Sequence, residues 1–175
     1  VDTVRETLEP FSNHLIFLMI GGFILAEAIF VHGLNRRFAF AVLALPWVGA
    51  RPGRVLAAYA VVTAVLSMWV SNTATTALMM PIGMSLLAFL YKKRTDATGR
   101  ELPVPRRDYA TGLMLVTSFA ASLGGLGTPV GTPTNLIGMG FIREQLGISL
   151  SFFQWMFLTL PIVGILMFWT VFTLH

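Results

Sequence analysis

The chain has 175 residues, 55% of them apolar and 11% charged, with no cysteine and a mean hydropathy of +0.76. Soluble domains carry roughly 25% charged residues, so this is the composition of an integral membrane protein; the missing thiols exclude disulfide frameworks, thiolate nucleophiles and Cys-ligated metals. The net charge of +4 comes from basic residues clustered between apolar runs, which reads as membrane topology and argues against a nucleic-acid partner.

The first stretch, VDTVRETLEPFSNH, has no basic leader or cleavage site and is not a signal peptide. Both ends of the sequence are expected to be internal to a longer chain. Ten of the twelve Lys and Arg residues fall between Arg36 and Arg107, and the positive-inside rule puts that group on the cytoplasmic side, with Asp2, Glu6 and Glu9 opposite. Residues 15–34 then cross inward as an ordinary helix. Residues 38–50, bracketed by arginines and too short to span, are expected along the inner interface with a break near Pro46.

Residues 55–90 carry positive flanks at both ends, Arg51 and Arg54 before and Lys92, Lys93 and Arg94 after. About 36 residues is too long for one span and short for two with a turn, so a cytoplasmic-side re-entrant helical hairpin is predicted, its tip at Ser71, Asn72 and Thr73. Residues 92–108 form a polar, proline-bearing cytoplasmic loop. In residues 109–142, six Gly and Pro residues fall between Gly124 and Pro133, which no continuous helix accommodates. A discontinuous span is predicted, with half-helices at about 109–123 and from about 135. Residues 152–174 are the last spanning helix, and Arg143 and Glu144 face outside.

The two interruptions share a chemistry. A helix that begins inside the membrane presents unpaired N–H groups and the positive end of its dipole, and one that stops there presents carbonyls. Ser71, Asn72, Thr73, Thr75 and Thr76 at the first break, with Thr128, Gly131, Thr132, Thr134 and Asn135 at the second, add neutral oxygens and amides suited to a hard monovalent cation and to a carboxylate. Paired broken helices are the pattern of secondary transporters. Each break alone is equally well a capped helix start or a kink; their pairing favours transport. Glu27, inside an apolar run, is a possible proton relay, although pairing or snorkelling near His32 and Arg36 is simpler. No clustered carboxylates or histidines support catalysis or any metal other than sodium. An ion channel with GTPVGTPTN as a carbonyl-lined filter and a non-transporting membrane subunit are the readings from other classes.

SMWVSNTATTALMMPI and GGLGTPVGTPTNLIG, preceded by LEPFSNHLIFLMIGGFILAEAIFVHGLNRR, resemble the divalent anion/sodium symporter family, carriers of di- and tricarboxylates or sulfate. The resemblance covers the whole chain but only the family's first inverted repeat. It implies an all-α, elevator-type transporter that is a homodimer when full length, in a bacterial inner or plasma membrane. It also implies a scaffold-type part at residues 1–54 and a transport-type domain at 55–175. Carried over by position, it makes Ser67, Ser71, Asn72 and Gly131 sodium ligands. Asn72, Thr73 and Thr132 would meet a substrate carboxylate, and Pro133 and Asn135 would shape the loop. Sodium is the implied coupling ion, a small dicarboxylate-type anion the substrate, and sodium-independent exchange the variant within the family.

Overall fold

A computed structural model describes residues 14–49, 51–91 and 108–174. The described residues form seven helices: α1 His14–Val31, α2 Leu34–Leu43, α3 Pro52–Ser67, α4 Asn72–Tyr91, α5 Tyr109–Gly125, α6 Pro133–Leu146 and α7 Phe152–Leu174. The cytoplasmic loop expected at 92–108 lies outside the described residues but for Asp108. Among the described residues two helices, α4 and α7, are long and apolar enough to cross a membrane, and α1 with α2, bent by 65°, make a third if counted as one span.

The interfacial helix differs from its expected place. It begins at Leu34, takes in Arg36 and Arg37, and ends at Leu43, so the chain has left the helix before Pro46. Gly33 makes the bend from α1, with φ of 62°, a conformation that costs glycine nothing. After the turn, the Arg54 guanidinium lies over the Trp47 ring and donates to the Trp47 carbonyl at 3.1 Å. Pro52 then opens α3 at its first position, where a missing N–H is no loss.

α3 is the hub. Val55, Leu56, Tyr59, Ala60, Val62 and Ala64 are buried in one apolar cluster with residues of α4, α5 and α7. α3 and α5 run parallel, because Tyr109 OH donates to the Pro52 carbonyl at 2.7 Å where both helices start and Gly124 meets the Ala64 backbone where both end. α4 returns antiparallel: Tyr59 OH donates to the Met79 carbonyl at 2.9 Å, and Asn72 lies against Gly125. Thr117 Oγ1 is 3.0 Å from Tyr59 OH while donating to the Leu113 carbonyl at 2.8 Å. These two hydroxyls have two protons between them for three contacts, so the cluster binds α3, α4 and α5 as one cooperative unit.

The two arms of the hairpin are unequal, 16 residues in α3 and 20 in α4, and α4 alone has the length of a span. The tip also falls earlier than predicted. Its non-helical residues are Met68 to Ser71, and Asn72 and Thr73 already belong to the first turn of α4, because the Ser71 hydroxyl accepts the Ala74 N–H at 3.3 Å as an N-cap does. The second break is narrower than predicted, 126–132. The glycines at 124 and 125 stay helical because close packing on α3 and α4 demands them there, and Pro133 is preorganised as the first residue of α6. The last helix has the predicted bounds. Its outer face carries exposed Phe157, Ile165, Phe168 and Phe172, the surface of a helix that meets lipid or other apolar protein.

Candidate functional site

The parallel course of α3 and α5 brings the two breaks to one level. Gly124 and Gly125 are required by the approach. A Cβ at Gly124 would overlap the Ala64 carbonyl, and one at Gly125 would overlap the Asn72 side chain. Beyond Gly125 the chain folds back so closely that a Cβ at Gly131 would lie 2.5 Å from the Gly125 carbonyl oxygen. Asn72, Gly125 and Gly131 are therefore stacked in contact, and Ser67 joins them by donating its hydroxyl to Asn72 Oδ1 at 2.8 Å.

Thr128 ties the breaks together. It is fully buried, its Oγ1 donates to the Met68 carbonyl at the hairpin tip, and the same oxygen accepts the Gly131 N–H at 3.1 Å. Asn135, 3% exposed, reaches back from α6, its Nδ2 donating to the carbonyls of Gly125 and Thr128 at 2.7 Å each. The carbonyls between are met from α7: Trp155 Nε1 donates to Leu126 at 3.0 Å and Thr159 Oγ1 to Gly127 at 3.3 Å. Gly124 accepts the Gly127 N–H at 2.8 Å. The carbonyls of Gly124, Gly125, Leu126 and Thr128 thus each have a protein donor, and that of Gly127 shares the Thr159 hydroxyl with the Trp155 carbonyl, which is how non-helical backbone is held where water is excluded.

Ser67 is fully buried and Gly131 buried; Ser71 and Thr73 are exposed, and Asn72 and Thr132 are half-buried. Thr132 pairs with Thr134, their hydroxyls 3.1 Å apart. Pro133 is exposed at the start of α6. No residue in 67–76 or 124–135 carries an ionisable side chain, so the electrostatics of the site are those of amides, hydroxyls and the helix ends. Glu27 is exposed on α1. Among the described residues no group of three or more His, Cys, Asp and Glu is placed to hold a metal.

The sequence matches the citrate transporter family (CitMHS) over residues 1–175. The chain belongs to that family. The sodium-dependent high-affinity dicarboxylate transporter 3 of Caenorhabditis elegans is 36% identical over 169 residues, which are 94% of this chain and 30% of that protein. The sodium-dependent dicarboxylate transporter SdcS of Staphylococcus aureus (strain USA300) is 33% identical over 165 residues, 94% of this chain and 31% of the relative. Its Staphylococcus saprophyticus counterpart is 36% identical over 164 residues, with the same shares. The chain therefore spans about a third of the length of these relatives. Membership of a transporter family, with the spanning helices, makes this a multi-pass integral membrane protein and not an enzyme.

Within this family member, three supports of the site escaped sequence reasoning. No local pattern marks Trp155 or Thr159 in an apolar helix, and only the folded chain puts them under the carbonyls of Leu126 and Gly127. Tyr59 lies eight residues before Ser67 in an alanine- and valine-rich run, and no local pattern marks it as the clamp between three helices. A cavity of roughly 600 Å³, lined by Phe30, Arg36, Phe40, Ala74, Leu78 and Pro81, lies on the side of α4 facing α1 and α2 and includes none of the predicted ligands.

Proposed function

We propose that the full-length protein is a secondary active transporter that couples a dicarboxylate-type anion to sodium, and that this chain supplies one half of its site. The observation that carries this reading is the contact of two broken helices through Ser67, Asn72, Gly125 and Gly131, with no ionisable side chain in either break. An anion held only by dipoles and amides is weakly bound against the cost of dehydrating a carboxylate, and a sodium ion supplies the missing positive charge as a co-transported species. At the second break the family resemblance gives ion coordination to Gly131, which packs against Gly125 and so lies close to Asn72. At the first break it falls on Ser67, Ser71 and Asn72. Asn72 and Thr73, at the positive end of the α4 dipole, with Thr132 opposite, face one carboxylate of the substrate, while Pro133 and Asn135 keep the loop in shape.

On this reading α3 and α4 form a re-entrant hairpin whose two feet share the cytoplasmic side. The domain beyond residue 54 moves as an elevator past residues 1–54, and a second repeat completes the site in a homodimer. Those features rest on the family resemblance, supported here by the parallel course of α3 and α5 and the antiparallel return of α4. The relatives' names, sodium-dependent dicarboxylate transporters, support the choice of ion and anion.

The test is calorimetry on the purified full-length protein, titrating a dicarboxylate in sodium and then in choline at equal ionic strength. Sodium is expected to tighten binding by roughly 5–150-fold, the usual range of such coupling. Equal affinity in the two salts would point to an exchanger or a channel and overturn the sodium assignment.

A further inference from the structure

Thr75 stands out among the threonines of the helices. It is 2% exposed, and its Oγ1 is the one buried side-chain polar atom among the described residues without a hydrogen-bond partner. Six other helical threonines solve the same problem in one way, donating to the carbonyl four residues back: Thr63, Thr76, Thr117, Thr159, Thr170 and Thr173. The carbonyl four residues before Thr75 belongs to Ser71, at the hairpin tip, and accepts the Thr75 N–H at 2.9 Å. The Thr75 hydroxyl makes no such bond. A buried hydroxyl without a partner costs about 1–3 kcal/mol, so a threonine retained in this state needs a further partner to be explained.

Its place says what kind. Thr75 is three residues after Asn72 in the first turn of α4, so the two side chains share a face of the helix about 5–6 Å apart at Cβ. On that face Asn72 Oδ1 meets Ser67 Oγ and Asn72 lies against Gly125. Oxygen ligands sit about 2.3–2.6 Å from a hard cation, so a cation between two of them bridges about 5 Å, the spacing of helical neighbours at i and i+3. A hydroxyl can donate to an anion or present its lone pairs to a cation; sharing a helix face with Asn72, whose Oδ1 meets Ser67 Oγ, favours a small monovalent cation held by neutral oxygens.

We infer that the Thr75 hydroxyl is a further ligand of the cation site at the hairpin tip, contributed from α4 on the same helix face as Asn72. This rests on the sodium-coupled reading above. The device has a second consequence: the ion-free site carries an unsatisfied buried oxygen, so cation binding stabilises the fold by more than its coordination at the exposed residues alone.

The experiment is thermal unfolding of the full-length protein in sodium and in choline, for wild type, Thr75→Val and Thr75→Ser. Valine keeps the shape and removes the oxygen; serine keeps the oxygen. Thr75→Val is expected to unfold in choline at or above the wild-type temperature, and to need about tenfold or more sodium for the same stabilisation, as follows from losing one charge-assisted contact. Thr75→Ser is expected to keep the wild-type sodium response. An unchanged sodium response in Thr75→Val, or an equal loss of stability in both salts, overturns the inference and leaves the proposed function standing. No sodium response in wild type overturns both. If Thr75→Val yields no folded protein, Thr75→Ala is read against the same criteria.

Discussion

The two breaks are built in opposite ways. The hairpin tip is short, Met68 to Ser71, and closes largely on itself: Ser71 caps α4, the Leu66 carbonyl accepts the N–H groups of Trp69 and Val70, and Thr128 is the helper from the other break. It keeps exposed Ser71 and Thr73 and the unpartnered Thr75 hydroxyl. The second break, 126–132, is longer and is braced from outside by Asn135, Trp155 and Thr159. The second break has its carbonyls from Leu126 to Thr128 met by protein donors and offers only Gly131 and Thr132 at its end, while the first keeps more groups in hand for a ligand. Bracing therefore falls mainly on one of two elements that touch, as a preorganised site needs.

That contrast breaks most severely where the elements meet. Gly124→Val places a branched side chain against the Ala64 backbone, which cannot yield as a side chain would. Overpacking of this kind costs about 1–3 kcal/mol and occasionally more, so a large loss of folded protein is expected by size-exclusion yield in detergent. Normal yield and thermal midpoint for this variant would mean that α3 and α5 do not approach as described.

Asn135→Ala removes two donors at once, stranding the Gly125 carbonyl in a dry interface and leaving the Thr128 carbonyl only the Gly131 N–H. Each unsatisfied group costs about 1–3 kcal/mol, so the thermal midpoint should fall sharply in sodium and in choline alike. A loss confined to sodium would move Asn135 from the brace to the ligand set.

Trp155→Phe keeps an aromatic side chain, smaller than the indole, and removes its N–H. A bond of this kind contributes about 0.5–1.5 kcal/mol, so a modest fall in midpoint is expected, additive with Thr159→Val only if the two carbonyls are supported independently. Strong non-additivity would show the unwound segment relaxing as a unit.

Ser71→Ala is the sharpest probe, because its structural cost is the smallest. An exposed N-cap is worth about 0.5–1 kcal/mol, so stability should change little while the sodium concentration for half-maximal binding rises. An unaltered sodium response would make Ser71 a cap and nothing more.

Much of this was legible because the signals are local. The number of apolar runs, the interruption by Gly and Pro after Leu123, the Ser-Asn-Thr start of α4 and the bounds of α7 each depend on residues within a turn or two of one another. Helix ends were read less well. The tip moved back to Met68 because Ser71 serves as the cap, and the second break shrank because Gly124 and Gly125 remain helical.

Composition, periodicity and the breaking residues determined by themselves that this is a membrane chain of helices with two discontinuities and uncharged, oxygen-rich chemistry at both. Which carbonyls are bonded and which remain for a ligand was decided only by the tertiary structure. Trp155 lies 29 residues from Leu126 and Tyr59 lies 58 from Thr117, and a bond between groups so distant leaves no periodic trace along the chain. The parallel course of α3 and α5 decided in the same way that Thr75, one hydroxyl among several in a threonine-rich turn, is buried without a partner.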